Sequence, residues 1–235
     1  MCELYEVDPD GDLLIILPFS NEAFAPWNDS DDREALPERD PGVEISSPPS
    51  TTHEGNLLAS YTSPLPLHLK VSSKHLILAS RHFRKMLTGN WGEANTIHED
   101  GYRHVTLEGF DPSALKLLLD IIHGKTRKVP RSLDLEMLAK VSVLVDDFEC
   151  HEEVEVFSDI WLNHLQDSLA TEYNRDLILW ILISSVFRKS ALFKSATRTA
   201  ILHSTRPIQA LGLPIRGIII GEWPRGLMLC ALSRV

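Results

Sequence analysis

Residues 66–88 read PLHLKVSSKHLILASRHFRKMLT, and the spacing of their apolar residues changes once along this stretch. Up to Val71 apolar and polar residues alternate, which predicts a strand buried on one face. After it, helical spacing continues until Gly89-Asn90, through Leu76, Ala79, Phe83, Met86 and Leu87. Because hydroxyl side chains favour the N-cap position, Ser72 and Ser73 are the predicted cap of one helix. The stretch therefore predicts a strand followed directly by a helix.

Further short elements lie on both sides of this stretch. Before it, the apolar run 13–17 predicts a buried strand. After it come a predicted strand at 103–107 and predicted helices at 111–124, 134–148, 152–165, 177–187 and 190–203. Asp111-Pro112 supplies the cap and first-turn proline of the first of these. The nearly wholly apolar run 177–187 is too short to cross about 30 Å of hydrocarbon, so it is predicted as a buried helix.

The composition is that of an ordinary globular protein. The chain has 235 residues, of which 43% are hydrophobic and 24% charged, so it can bury a stable core without disulfide bonds or bound metals. Its three cysteines (Cys2, Cys150, Cys230) are too few for a secreted disulfide framework, and Cys150 is predicted to be a small packed thiol. The N-terminus is acidic, unlike a signal peptide. We therefore expect an intracellular protein, in the cytoplasm or nucleus.

The net charge of −10 is unevenly distributed along the chain. Residues 20–64 contain six prolines, many Ser and Thr, and nine acids against two bases, which predicts a disordered acidic insert. The acidic front half argues against a general nucleic-acid binder, which needs clustered Lys and Arg. Residues 172–235 contain nine bases and three acids, so a nucleic-acid role for this region stays open as the less favoured alternative.

The sequence contains no recognisable catalytic or cofactor motif. Its ten histidines lack zinc-ligand spacing: His98 and His104 lie six apart, and His75 and His82 seven apart. No Gly-x-Ser-x-Gly elbow is present, and Gly124-Lys125-Thr126 lacks the earlier glycine of a phosphate-binding loop. We therefore expect no enzyme activity, metal, cofactor, small-molecule substrate or membrane association.

Three segments together resemble BTB/POZ domains, in the version abundant in filamentous fungi. Residues 69–87 resemble the second strand and first helices, and 117–124 (LLLDIIHG) resemble the third helix with its final glycine. Residues 135–150 resemble the helical pair that follows. The implied organisation is a first strand within 1–19, the insert at 20–64, the domain body at 65–169, and a C-terminal helical extension with an irregular tail at 170–235.

The resemblance implies an α+β fold, with a small mixed β-sheet flanked by a cluster of α-helices and additional C-terminal helices. It implies a non-catalytic scaffold or adaptor that binds protein partners. A homodimer and a cullin-type ubiquitin ligase scaffold are the expected assemblies. The alternative is a chromatin- or transcription-linked regulator that uses the basic C-terminal region.

The resemblance also implies a partner interface. In the family, an acid in the first strand and a base at the start of the first helix line a charged pocket at the dimer interface. Asp12 matches the acid, but the position of the base holds Ser72-Ser73, and Lys74 substitutes only if shifted by one place. The oligomeric state therefore stays open. The expected interface residues are Asp12, Lys74 and His75, with Phe83, Met86 and Leu87 as hydrophobic support. The acidic triplet of cullin adaptors is not identifiable at 137–139.

Overall fold

A computed structural model describes residues 3–19, 22–27, 66–89, 96–165, 168–204 and 208–215. Within these residues the chain forms four strands and seven helices, which confirms the predicted α+β class. The strands are β1 (Glu3–Glu6), β2 (Leu13–Leu17), β3 (Leu67–Val71) and β4 (Arg103–Thr106). The helices are α1 (Ser73–Ala79), α2 (Arg81–Thr88), α3 (Pro112–Ile122), α4 (Leu135–Phe148), α5 (His151–Leu165), α6 (Arg175–Val186) and α7 (Ser190–His203).

The four strands form one mixed sheet in the order β1-β3-β2-β4. β2 and β3 are antiparallel, with Ile15 opposite Leu69, and both of these side chains are fully buried. β1 runs parallel to β3, and β4 runs parallel to β2. The sequence did not predict β1, whose four residues include two acids and an exposed Leu4. Its pairing with β3 joins residues 64 positions apart, from Glu3 to Leu67, so no local pattern marks it.

The predicted single helix after β3 is two helices, α1 and α2, separated at Ser80. Ser80 has an extended backbone, and its hydroxyl donates to the carbonyl of Phe148 at 2.5 Å. The same oxygen accepts the N–H of Phe83 at 3.0 Å and so caps α2. The single-helix prediction is wrong because a contact with the end of α4 interrupts a locally continuous helical pattern.

The buried apolar residues of the sheet and helices form one continuous core that extends to Ile215. In α6 every side chain from Leu177 to Ile183 is fully buried, so the predicted buried helix is confirmed. This helix packs against α4 and α7, which joins the C-terminal extension to the rest of the core. No helix among the described residues has the length and apolar character needed to cross a membrane.

Residues 22–27 pack against the body of the protein. The guanidinium of Arg175 donates to the carbonyls of Phe24 and Ala25, both at 2.9 Å. Ala25 is buried, and the ring of Trp27 lies 5.6 Å from that of Tyr173. The predicted disorder of 20–64 is therefore wrong for 22–27, because these apolar residues find partners on α6 and beside it. The rest of the predicted insert, and residues 216–235 of the predicted tail, lie outside the described residues.

Candidate functional site

The predicted interface acid, Asp12, lies where β2 meets the start of α1. Gly11 precedes it in a turn that runs directly against β3. A Cβ atom at Gly11 would lie 2.6 Å from the carbonyl oxygen of Val71, so the backbones approach as closely as glycine allows. Since Val71 ends β3 and Ser73 begins α1, this approach brings Asp12 to the N-terminus of α1.

The Asp12 carboxylate has partners on two other elements. One oxygen accepts the backbone N–H of Ser73 at 2.8 Å, and the other accepts the Ser73 hydroxyl at 2.7 Å. The second oxygen also accepts an N–H of Arg103 at 2.6 Å, which forms an ion pair. The predicted cap is therefore wrong: the side chain of Ser72 makes no cap hydrogen bond, and Asp12 takes that role.

The basic partner of Asp12 is Arg103, whereas the sequence analysis considered Lys74 for this role. Arg103 begins β4 and lies opposite Leu13 of β2, next to Asp12. Its side chain is only 20% exposed, whereas that of Asp12 is 51% exposed. Lys74 is an exposed residue of α1 and is not among the hydrogen-bonding partners of Asp12 in the described residues. Knowledge that β4 pairs with β2 would have identified Arg103 as this partner, because that pairing places it beside Asp12.

These contacts change the ionisation of Asp12. Partial burial raises the pKa of this carboxyl, but the hydrogen bonds from Ser73 and Arg103 and the charge of Arg103 outweigh it. The net result is a pKa below the usual value for aspartate. Asp12 is therefore a carboxylate at neutral pH that is already paired within its own chain.

The other predicted interface residues divide into exposed and buried groups. Lys74 and His75 are exposed on the first turn of α1. Phe83 is fully buried, Leu87 is 4% exposed, and Met86 is partly buried against the core. Phe83 and Leu87 therefore support α1 and α2 from inside, and Lys74 and His75 are the members of the set that face solvent.

Sequence reasoning missed Leu78, which lies on the same helix. Its side chain is 76% exposed, the highest value among the exposed large hydrophobic residues of the described chain. It lies three and four positions after His75 and Lys74, so these side chains share one face of α1. The signal was available, because Leu78 falls outside the apolar stripe that contains Leu76 and Ala79.

The packed-thiol prediction for Cys150 is confirmed. The side chain is 1% exposed, and burial, with a smaller effect of Glu153, raises its pKa to about 12. Since the thiolate is the nucleophilic form, this thiol is inert near neutral pH.

A small mixed sheet covered by a helix cluster, with a helical extension on the same core, defines the architecture of this α+β domain. Residues 67–163, from β3 into α5, match the family model described as BTB/POZ domain. The chain therefore contains a BTB/POZ domain, which confirms the resemblance seen in the sequence. Such domains are typically non-catalytic modules that bind other proteins. No curated protein matches the chain.

Proposed function

We propose that this protein is a non-catalytic scaffold that binds its partners through the exposed face of α1, and that its first partner is a second copy of itself. The observation that carries the proposal is Leu78, a large apolar side chain that is 76% exposed on α1. Lys74 and His75 beside it give this face a polar margin, an arrangement typical of protein interfaces. We call Lys74, His75 and Leu78 the α1 face.

The α1 face is held rigidly by its own chain. The side chain of Arg84 on α2 donates to the carbonyls of Ile77 and Leu78, at 3.0 and 3.4 Å. Leu76, on the opposite side of α1, is fully buried. Since little ordering entropy is lost when a preorganised surface binds, this rigidity supports a role in association.

The charge arrangement at Asp12 supports a self-association that needs no base from the partner. Arg103 and Ser73 already satisfy the Asp12 carboxylate within one chain. The replacement of the usual base by Ser72-Ser73 therefore leaves no unpaired acid at this position. Apolar contact around Leu78 then becomes the main attraction between two copies.

Light scattering of the purified chain over a dilution series tests this proposal. The wild type should have about twice the monomer mass of 26.5 kDa. Leu78→Lys should lower the mass to that of the monomer, because it puts a charge into the apolar contact. Val156→Lys is the matched control, since Val156 is a comparably exposed apolar residue, at 68%, on a different helix, α5. A wild type that is monomeric at every concentration, or equal dissociation by both variants, would refute self-association through α1.

The BTB/POZ domain also supports a narrower proposal, that the protein links partners to a cullin-type ubiquitin ligase scaffold. At the place of the family's acidic triplet, Leu138 and Ala139 are fully buried. The nearby acid Glu136 is paired with Lys140 and Arg175. Support for this role therefore comes from the domain family and not from this surface. Binding of the purified chain to the N-terminal part of a cullin, measured by calorimetry, tests it.

The alternative role, binding to nucleic acid or chromatin through the basic C-terminal region, has one structural observation in its favour. Lys194 and Arg198 are exposed one turn apart on α7. Against it, Arg175 and Lys189 form ion pairs with acids of the same chain, Glu136 and Asp159. Duplex DNA binding that weakens steeply with salt and is lost in Lys194→Ala/Arg198→Ala would favour this alternative.

A further inference from the structure

The N-terminus of α1, which carries the α1 face, is held by two titratable side chains from distant parts of the sequence. Asp12 accepts the N–H of Ser73. The N–H of the preceding residue, Ser72, donates to Nε2 of His123 at 3.1 Å. His123 lies at the C-terminal end of α3, 51 residues away from Ser72, so no local pattern marks this contact. The imidazole therefore fastens the junction between β3 and α1 to the end of α3.

The orientation of the His123 ring is fixed by its own helix. Its Nδ1 donates to the carbonyl of Leu119 at 2.8 Å, and its backbone N–H donates to the same carbonyl at 3.0 Å. Because Nε2 accepts the N–H of Ser72, the single proton of the neutral ring is on Nδ1. Each ring nitrogen then has one backbone partner, so the neutral ring fits this position completely.

Protonation of His123 removes the acceptor of Ser72. The imidazolium carries a proton on each nitrogen, so Nε2 becomes a donor that faces the N–H of Ser72. Since the carbonyl of Leu119 still holds Nδ1, the mismatch falls on the Ser72 side. The N–H of Ser72 must move away or stay without an acceptor in a part-buried position, and an unsatisfied buried donor is costly.

Three charged or titratable groups from different elements face the ring. The ring of His75 on α1 lies 4.9 Å away, Asp8 lies in the turn after β1, and Lys125 follows α3. Burial lowers the pKa of His123, and the charges of His75 and Lys125 act in the same direction. The hydrogen bond to Leu119 and the charge of Asp8 oppose this. With a lowered folded pKa, the stabilisation is complete above the unfolded pKa of about 6.5 and is lost as the pH falls from there through the folded pKa.

We propose that His123 is a pH-sensitive latch for the α1 face: the neutral ring fastens the start of α1, and the protonated ring releases it. The step is the transfer of one proton from solvent to Nε2, which breaks the hydrogen bond from Ser72 and no covalent bond. Asp12 still holds Ser73 in this pH range, so α1 is loosened at its first turn and not unfolded. The latch needs contacts within one chain only, whereas its effect on association rests on the proposed function.

Amide hydrogen exchange of the full chain, measured by NMR at about pH 7 and pH 5 and corrected for intrinsic rates, tests the latch. The protection of the Ser72 N–H should fall about fivefold to tenfold in the wild type, the effect of one lost hydrogen bond. His123→Gln should show no such fall, because its amide oxygen is an acceptor that does not titrate. The matched control is His104→Gln, since His104 contacts His98 and Asp100 instead. This variant should respond to pH as the wild type does.

Two further variants test the latch without changing His123. His75→Ala should move the loss of Ser72 protection to higher pH, and Asp8→Asn should move it to lower pH, because each removes one charge that faces the ring. Asp8→Asn keeps an acceptor for the N–H of Asp10. Shifts in the same direction, no shift in either variant, or equal pH responses in wild type and His123→Gln would each overturn the latch.

Light scattering at the same two pH values separates the latch from the proposed function. The wild-type mass should fall towards that of the monomer at about pH 5, and His123→Gln should keep the dimer mass. Loss of Ser72 protection in a chain that is monomeric at both pH values would support the latch and refute self-association. A dimer whose Ser72 protection does not change would refute the latch and support self-association. A dimer that persists although the protection is lost would overturn the effect of the latch on association.

Discussion

Two helices of this protein, α1 and α3, have an aspartate at the N-terminus, but the two aspartates reach their helices differently. Asp111 directly precedes α3 and accepts the N–H groups of Ser113 and Ala114 at 2.9 and 3.0 Å. Asp12 is 61 residues away from Ser73, whose N–H it accepts on α1. Each also forms an ion pair with a base, Lys140 for Asp111 and Arg103 for Asp12. We call them the local cap (Asp111) and the remote cap (Asp12).

The comparison shows that one kind of contact can stabilise a helix or join several elements. The local cap satisfies the first turn of α3, and its partner Lys140 is shared with Glu136. The remote cap connects the start of β2, the N-terminus of α1 and the first residue of β4. It therefore also sets how α1 lies on the sheet, and with it the direction of the α1 face.

Gly11→Ala should have the largest effect, because the remote cap requires the close approach of Gly11 to Val71. The added Cβ would lie 2.6 Å from a backbone oxygen, which cannot rotate away. We expect the free energy of unfolding to fall by about 3 kcal/mol, the upper range for overpacking. Urea denaturation of the full chain measures this.

Gly109→Ala is the control from the region of the local cap. Gly109 has a φ of +78°, and nothing lies within 4 Å of the position of its Cβ. The cost there is backbone strain alone, about 1 kcal/mol. If Gly11→Ala proves no more destabilising than this control, the close approach does not constrain the remote cap.

Asp12→Ala should cost more than Asp111→Ala. The first leaves the N–H and hydroxyl of Ser73, which is 3% exposed, without their acceptor, and separates Arg103 from its carboxylate. We expect about 2 kcal/mol for Asp12→Ala and about 1 kcal/mol for Asp111→Ala. Equilibrium unfolding in urea compares the two, and equal losses would show that the remote cap does no more than an ordinary helix cap.

The same contrast explains how much of the fold could be predicted. Helix α3 was predicted with its cap, because Asp111-Pro112 and the apolar stripe are adjacent in sequence. The cap of α1 was assigned to Ser72 and Ser73, because a local pattern cannot show an acceptor 61 residues away. The break at Ser80 was missed for the same reason, since the carbonyl of Phe148 is its partner.

The candidate site was predicted only in part. Asp12, Lys74 and His75 came from the family resemblance, and the structure places all three at the corner between sheet and α1. Arg103 required knowledge that β4 pairs with β2. The signal for Leu78 was present in the sequence, since Leu78 falls outside the predicted apolar stripe of Leu76 and Ala79, but the sequence analysis did not use it.

The pH dependence of the two caps should show the smallest effect and separates charge from hydrogen bonding. Hydrogen bonds and a basic partner lower the pKa of both Asp12 and Asp111, although partial burial opposes this. A lowered pKa in the folded state means that the ionised form favours folding. The stabilisation is therefore present above the unfolded pKa of about 4 and is lost as the pH falls through the folded pKa. The advantage of wild type over Asp12→Asn should be about half a kcal/mol at pH 7, because the group is solvent-screened, and should shrink steadily as the pH is lowered below about 4. Urea midpoints measured over this range test it for Asp12→Asn and Asp111→Asn. A difference for Asp12→Asn that persists unchanged in acid would show that the remote cap acts through hydrogen-bond geometry and not through charge.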